Sequence, residues 1–102
     1  LEFRRVLFRS LRGLPDAGRL ATALLAPLLA GRPAARTQRL ETLRAYLEAG
    51  GVGEAAATLG VHRNTVAYRL EAIQRATGWD LADRDLRVAL IVAMRLGATP
   101  EP

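Results

Sequence analysis

The stretch EAAATLGVHRNTVAYRL, Glu54 to Leu70, holds two helical patterns with a glycine between them. Ala55, Ala56 and Leu59 give the first pattern an inward face, and Glu54 sits in its first turn, where the helix dipole favours an anion. Val66 and Leu70, continued by Ile73 just beyond the stretch, give the second a core face at helical spacing. Gly60 can adopt a left-handed backbone and so turn the chain within a few residues. The small Ala56 lets the second helix cross the first closely, while Val61, Val66 and Leu70 lock the pair. The expected unit is a helix-turn-helix: a first helix from about Gly53 to Leu59, and a second from about His62 to Thr77, stopped by Gly78.

At 100° per residue, Asn64, Tyr68, Glu71 and Arg75 fall opposite that core face, with Ala67 beside them. An α-helix fits the width of the DNA major groove, and residues at the head of a protruding helix meet base edges first. His62, Arg63, Asn64 and Thr65 occupy that head. Arg bonds bidentately to guanine and Asn to adenine, Tyr68 can stack or bond to a phosphate, and Arg69 and Arg75 can neutralise backbone charge. His62 can serve as an N-terminal cap as well as a contact. The partner this face suits is double-stranded DNA. The alternative is a protein-protein interaction module that uses the same exposed helix face without DNA contact. Arg63, Asn64 and Tyr68 also fit a plain solvated helix face, and Glu71 leans toward that reading, because a carboxylate repels phosphates, but it can pair with Arg75 four residues on or mark where the helix leaves the groove.

Upstream, Thr37 is an N-cap candidate for a helix whose stripe is Leu40, Leu43, Tyr46 and Leu47, and Gly50 with Gly51 stops it. Leu20, Leu24, Leu25, Leu28 and Leu29 recur at helical spacing but are broken by Pro27, and Gly31 to Ala35 reads as a linker. Downstream, Asp83 can cap a last helix from about Arg84 to Leu96. Its run from Val88 to Met94 is apolar on every side, so it needs two covered faces, one of them supplied by a second subunit or an upstream domain. Tyr46 and Trp79 read as core or rim residues. The expected fold is all-α, a small helical domain of about five helices. Its expected layout is a non-native segment at 1–10, a short helix and linker left from an upstream region at 11–35, the DNA-binding domain at 36–97 and a disordered tail at 98–102.

Two strings carry a family resemblance: ETLRAYLEAGG at Glu41 to Gly51 and VHRNTVAYRL at Val61 to Leu70, followed by Ile73, Thr77, Gly78, Asp80 and Leu81. In this order and spacing they resemble the C-terminal helix-turn-helix domain of PucR-type bacterial transcription regulators, and LLAPLL at Leu24 to Leu29 looks like that family's preceding segment. The chain departs from the family pattern at Ala67, where a basic residue is common, at Gly51, where a Ser or Asn cap is common, and more loosely after Asp83. The resemblance implies a DNA-binding output domain attached to an upstream sensory region, which would hold the effector ligand.

Composition sets the remaining bounds. Of 102 residues, 50% are hydrophobic and 25% charged, the balance of a folding domain. Cysteine is absent, which excludes disulfides, thiolate zinc sites and a Cys nucleophile. His62 is the one histidine, which leaves no multi-histidine metal site and no catalytic dyad; neither an enzyme nor a bound cofactor is expected. Gly50, Gly51 and Gly53 lack the Lys and Ser or Thr of a phosphate loop. The formal charge is +5, and all 15 basic residues are arginine, a choice that a GC-rich coding bias also produces.

The decamer LEFRRVLFRS, Leu1 to Ser10, resembles the conceptual translation of a sequencing-library adapter and is expected to be foreign to the protein; it contributes +2, leaving +3 elsewhere. That modest charge predicts weak binding by one copy, hence a homodimer or higher oligomer in the full-length protein. Pro27 and Arg19 spoil a signal-peptide reading of the leucine-rich start, and no stretch approaches the ~20 apolar residues of a membrane span. The expected location is cytoplasmic, with no membrane partner.

Overall fold

A computed structural model of the chain describes residues 17–96; the adapter-like decamer 1–10, the rest of the segment before residue 17 and the tail 98–102 lie outside the described residues. Among those residues every regular element is helical, as the periodicity requires: α1 (Ala17–Leu25), a 3-10 turn (Ala26–Leu29), α2 (Pro33–Ala49), α3 (Val52–Leu59), α4 (Arg63–Thr77) and α5 (Arg84–Arg95). The chain divides into two compact units, Pro27–Trp79 and a second whose described parts are residues 17–26 and 80–96.

In the first unit α2 packs on both α3 and α4, and α3 packs on α4. Leu28 of the 3-10 turn, Leu40, Leu43, Ala45 and Leu47 of α2, Ala55 and Ala56 of α3, and Val66, Leu70 and Ile73 of α4 form its buried hydrophobic set. Burying each of the larger aliphatic side chains contributes about 1.5–3 kcal/mol. Tyr46 and Trp79 are half-buried, as rim residues should be. Thr42, which the leucine stripe does not point to, is fully buried as well, and its hydroxyl has no hydrogen-bond partner among the described residues.

The start of α2 differs from the sequence expectation. The helix begins at Pro33, with Arg32 as an extended N-cap that makes no side-chain cap bond, so Thr37 lies within it instead of capping it. Proline suits the first helical position, where its fixed φ is already helical and its missing N–H is no loss. The linker shrinks to residues 30–32 because side chains of α2 satisfy the carbonyls ahead of it. Arg39 Nε donates to the Leu28 carbonyl at 3.1 Å, another Arg39 nitrogen donates to the Ala30 carbonyl, and Arg36 donates to the Leu29 carbonyl at 3.4 Å.

In the second unit α1 packs on α5. Asp83 caps α5 as expected, accepting from the backbone N–H of Asp85 at 2.9 Å and of Leu86 at 3.4 Å. Leu90, Val92, Ala93 and Met94 are buried and Val88 and Ile91 half-buried. The all-round apolar run thus leaves no large hydrophobic side chain exposed among the described residues of α5.

Candidate nucleic-acid interface

The site is built from the turn outward. Gly60 takes φ +70° and ψ 32°, a left-handed backbone that a side chain would strain. Its N–H donates to Ala57 at 3.4 Å and the Val61 N–H to Ala56 at 3.1 Å, the paired bonds that close a helix C-terminus and redirect the chain. Two residues on, His62 is extended, and its Nδ1 accepts the Asn64 backbone N–H at 3.0 Å. The histidine therefore caps α4. A neutral ring that accepts at Nδ1 carries its proton on Nε2, so the exposed edge of the ring is a donor. The first turn of α4 is thus held by a side chain of the turn itself, which presents the next residues on a fixed frame.

Arg63 and Asn64 are exposed in that first turn, and their side chains make no hydrogen bond or ion pair among the described residues. Tyr68 follows one turn later; at 66% exposure it is the one large hydrophobic side chain in the open among the described residues. Arg75 is exposed on the same side and pairs with Glu71 at 3.7 Å, both side chains more than 60% accessible. An exposed helical pair of this kind contributes only about 0.3–0.5 kcal/mol, so a phosphate can compete for the guanidinium. Thr65 and Arg69 are half-buried on the flank of α4, away from the line of Asn64, Tyr68 and Arg75. Of the seven residues singled out in the sequence, five stand at the head or on the open side of one helix, and Thr65 and Arg69 stand to the side.

The surroundings favour an anionic partner. Residues 27–79 contain seven Arg, four Glu and no Asp or Lys. Among the described residues no group of three His, Asp or Glu could hold a metal ion, and no helix is long and apolar enough to cross a membrane.

Sequence reasoning missed that α2 borders the flank of α4 beside this face. Ala35, Gln38 and Arg39 border a groove with Tyr68 and Arg69, a juxtaposition between helices distant in sequence that local periodicity does not reveal.

The family model for the PucR C-terminal helix-turn-helix domain matches residues 39–96, so the match continues through α5, beyond the point where the motif resemblance loosens. An uncharacterized protein in the pkwA 5′ region of Thermomonospora curvata is 41% identical over 80 residues, covering 78% of this chain and 44% of that protein. The purine catabolism regulatory protein of Bacillus subtilis is 43% identical over 58 residues, 56% of this chain and 11% of the relative. An uncharacterized protein of Mycobacterium tuberculosis is 50% identical over 66 residues, 60% of this chain and 16% of its own length. The matched part is less than half the length of each of these relatives. No solved structure matches the chain.

Proposed function

Because the chain belongs to the family of the PucR C-terminal helix-turn-helix domain, a DNA-binding domain of transcription regulators, we propose that it binds double-stranded DNA sequence-specifically by laying α4 in the major groove. The observation that carries this reading is the capped first turn of α4, which holds out Arg63 and Asn64 with no partner among the described residues. Arg63 reads guanine and Asn64 adenine, while the His62 Nε2–H and the Thr65 hydroxyl contact the duplex at the head of the helix. Tyr68, Arg69 and Arg75 bind the sugar-phosphate backbone and set affinity without choosing sequence.

The domain, residues 36–97, serves as the output part of a cytoplasmic regulator that has no catalytic role. Effector binding belongs to a region outside this chain, and useful affinity comes from two copies on adjacent half-sites. Relatives more than twice as long as the matched segment, one of them named a purine catabolism regulatory protein, support that arrangement.

The test compares a duplex selected from a random pool with a random-sequence duplex, each across a salt series. Arg63→Ala should cost about 1–3 kcal/mol on the selected duplex and little on the random one, whereas Arg75→Ala should weaken both alike and lower the slope of log affinity against log salt by about one. Binding that does not fall with salt, or equal losses from Arg63→Ala on both duplexes, overturns the reading.

A further inference from the structure

A groove of about 290 Å³ lies between the N-terminal half of α2 and the flank of α4. Ala35, Ala72 and Ala76 keep it open, while Gln38, Arg39 and Arg69 supply its polar groups and no carboxylate lines it. Tyr68 borders it and also stands on the open side of α4. We propose that this groove seats one sugar-phosphate strand of the duplex, with Gln38, Arg39 and Arg69 taking a phosphate and the alanines admitting the deoxyribose. The proposal rests on the DNA-binding reading above and names a contact surface that the reading helix alone does not provide.

Three observations converge on a nucleic-acid strand as the occupant. A DNA backbone alternates apolar sugar with anionic phosphate, and the groove divides its lining in the same way, small apolar residues with arginines and an amide. At 100° per residue, Arg69, Ala72 and Ala76 lie roughly a quarter-turn around α4 from Asn64, Tyr68 and Arg75. A helix in the major groove has a backbone strand along each flank, so one strand must pass on this side. One of the two charges, Arg39, is also placed in advance. Arg39 is anchored by its bonds to the Leu28 and Ala30 carbonyls, and Arg69 is half-buried with no hydrogen bond or ion pair among the described residues. A cation whose rotamer is already fixed loses less entropy on meeting its phosphate. An acidic peptide with an apolar anchor would satisfy the same charges, but Tyr68 belongs to both surfaces, so a peptide there would collide with DNA on α4.

The experiment titrates the full chain with a random-sequence duplex over a salt series, using wild type, Arg69→Gln, Ala76→Leu and the double variant, each checked by thermal unfolding. Ala76 is exposed on a helix, where leucine is well tolerated and fills the groove mouth. Arg69→Gln should lower the salt slope by about one, and Ala76→Leu should weaken binding about fivefold at moderate salt. The double variant should be no weaker than the worse single, because both remove one contact. Wild-type binding by Ala76→Leu, or losses that add independently, overturns the proposal and leaves the groove to an acidic peptide. If the wild type itself shows no salt-sensitive duplex binding, the DNA-binding reading fails, and the groove proposal falls with it.

Discussion

α3 has eight residues, starts at Gly51 without a side-chain cap and exposes Gly53, Glu54, Ala57 and Thr58; α4 has fifteen, starts under the His62 ring and exposes Arg63, Asn64, Tyr68 and Arg75. Two turns of helix are too few to persist alone in water, so α3 depends on Ala55 and Ala56 being pressed into the core and on the paired bonds at Gly60. α4 buries a face too, yet its first turn is secured by a hydrogen bond that needs no packing. The two halves of one motif therefore divide the labour. α3 carries no basic residue and contributes position, and α4 contributes position on one side and chemistry on the other.

The division breaks most visibly at Leu70, which is buried on the inner side of α4 while Glu71, its neighbour in sequence, is exposed. Leu70→Ala should cost about 2–5 kcal/mol of stability, a large fraction of what a small domain has, read as a lower midpoint in urea. DNA affinity corrected for the folded fraction should stay near wild type. A stable variant with lost affinity would show that this inner face is an interface instead of a core.

Much of this was legible because the signals were local. Gly50 and Gly78 close α2 and α4, and Val66, Leu70 and Ile73 fall on the core side, as their spacing requires. The cap at His62 also follows from its place between the turn and the helix. The rest depended on contacts between segments. Thr37 lost the cap because Arg36 and Arg39 satisfy carbonyls seven to eleven residues back, which lets Pro33 start the helix. Thr42 is buried although its residue type suits a surface, in a helix that packs on both α3 and α4. Arg69 falls among the phosphate contacts by residue type, but its place beside a groove is defined only once α2 is in position.

A smaller effect sharpens the chemistry of α4. Glu71→Gln removes the partner of Arg75 at a cost to stability of about 0.3–0.5 kcal/mol. If α4 lies in the major groove as proposed, the change also deletes a negative charge beside the phosphates, so duplex affinity at low salt should rise several-fold and the salt slope should steepen by up to about one. The two titrations should converge as salt increases. If the variant binds more weakly instead, Glu71 itself accepts a hydrogen bond from the duplex, and the boundary of the reading surface moves one turn along the helix.

The smallest change tests α3. Gly51 is extended, with φ −173°, a backbone any residue adopts, and an added Cβ would meet only the Glu54 carboxylate, its nearer oxygen at 2.5 Å. That oxygen ends an exposed, flexible side chain and can swing aside. Glu54 stands three residues after the cap, the spacing at which a serine hydroxyl accepts the Glu N–H while the carboxylate reaches back to the cap N–H. Gly51→Ser should therefore supply the cap that α3 lacks, stabilise the domain by a few tenths of a kcal/mol, and raise the melting midpoint by about 1–4 °C. DNA affinity and salt slope should not change, because a firmer start to α3 leaves the turn at Gly60 and the face of α4 where they were. A gain in affinity along with stability would mean that fraying of α3 reaches α4, and that position and chemistry are less separable across the turn than their surfaces indicate.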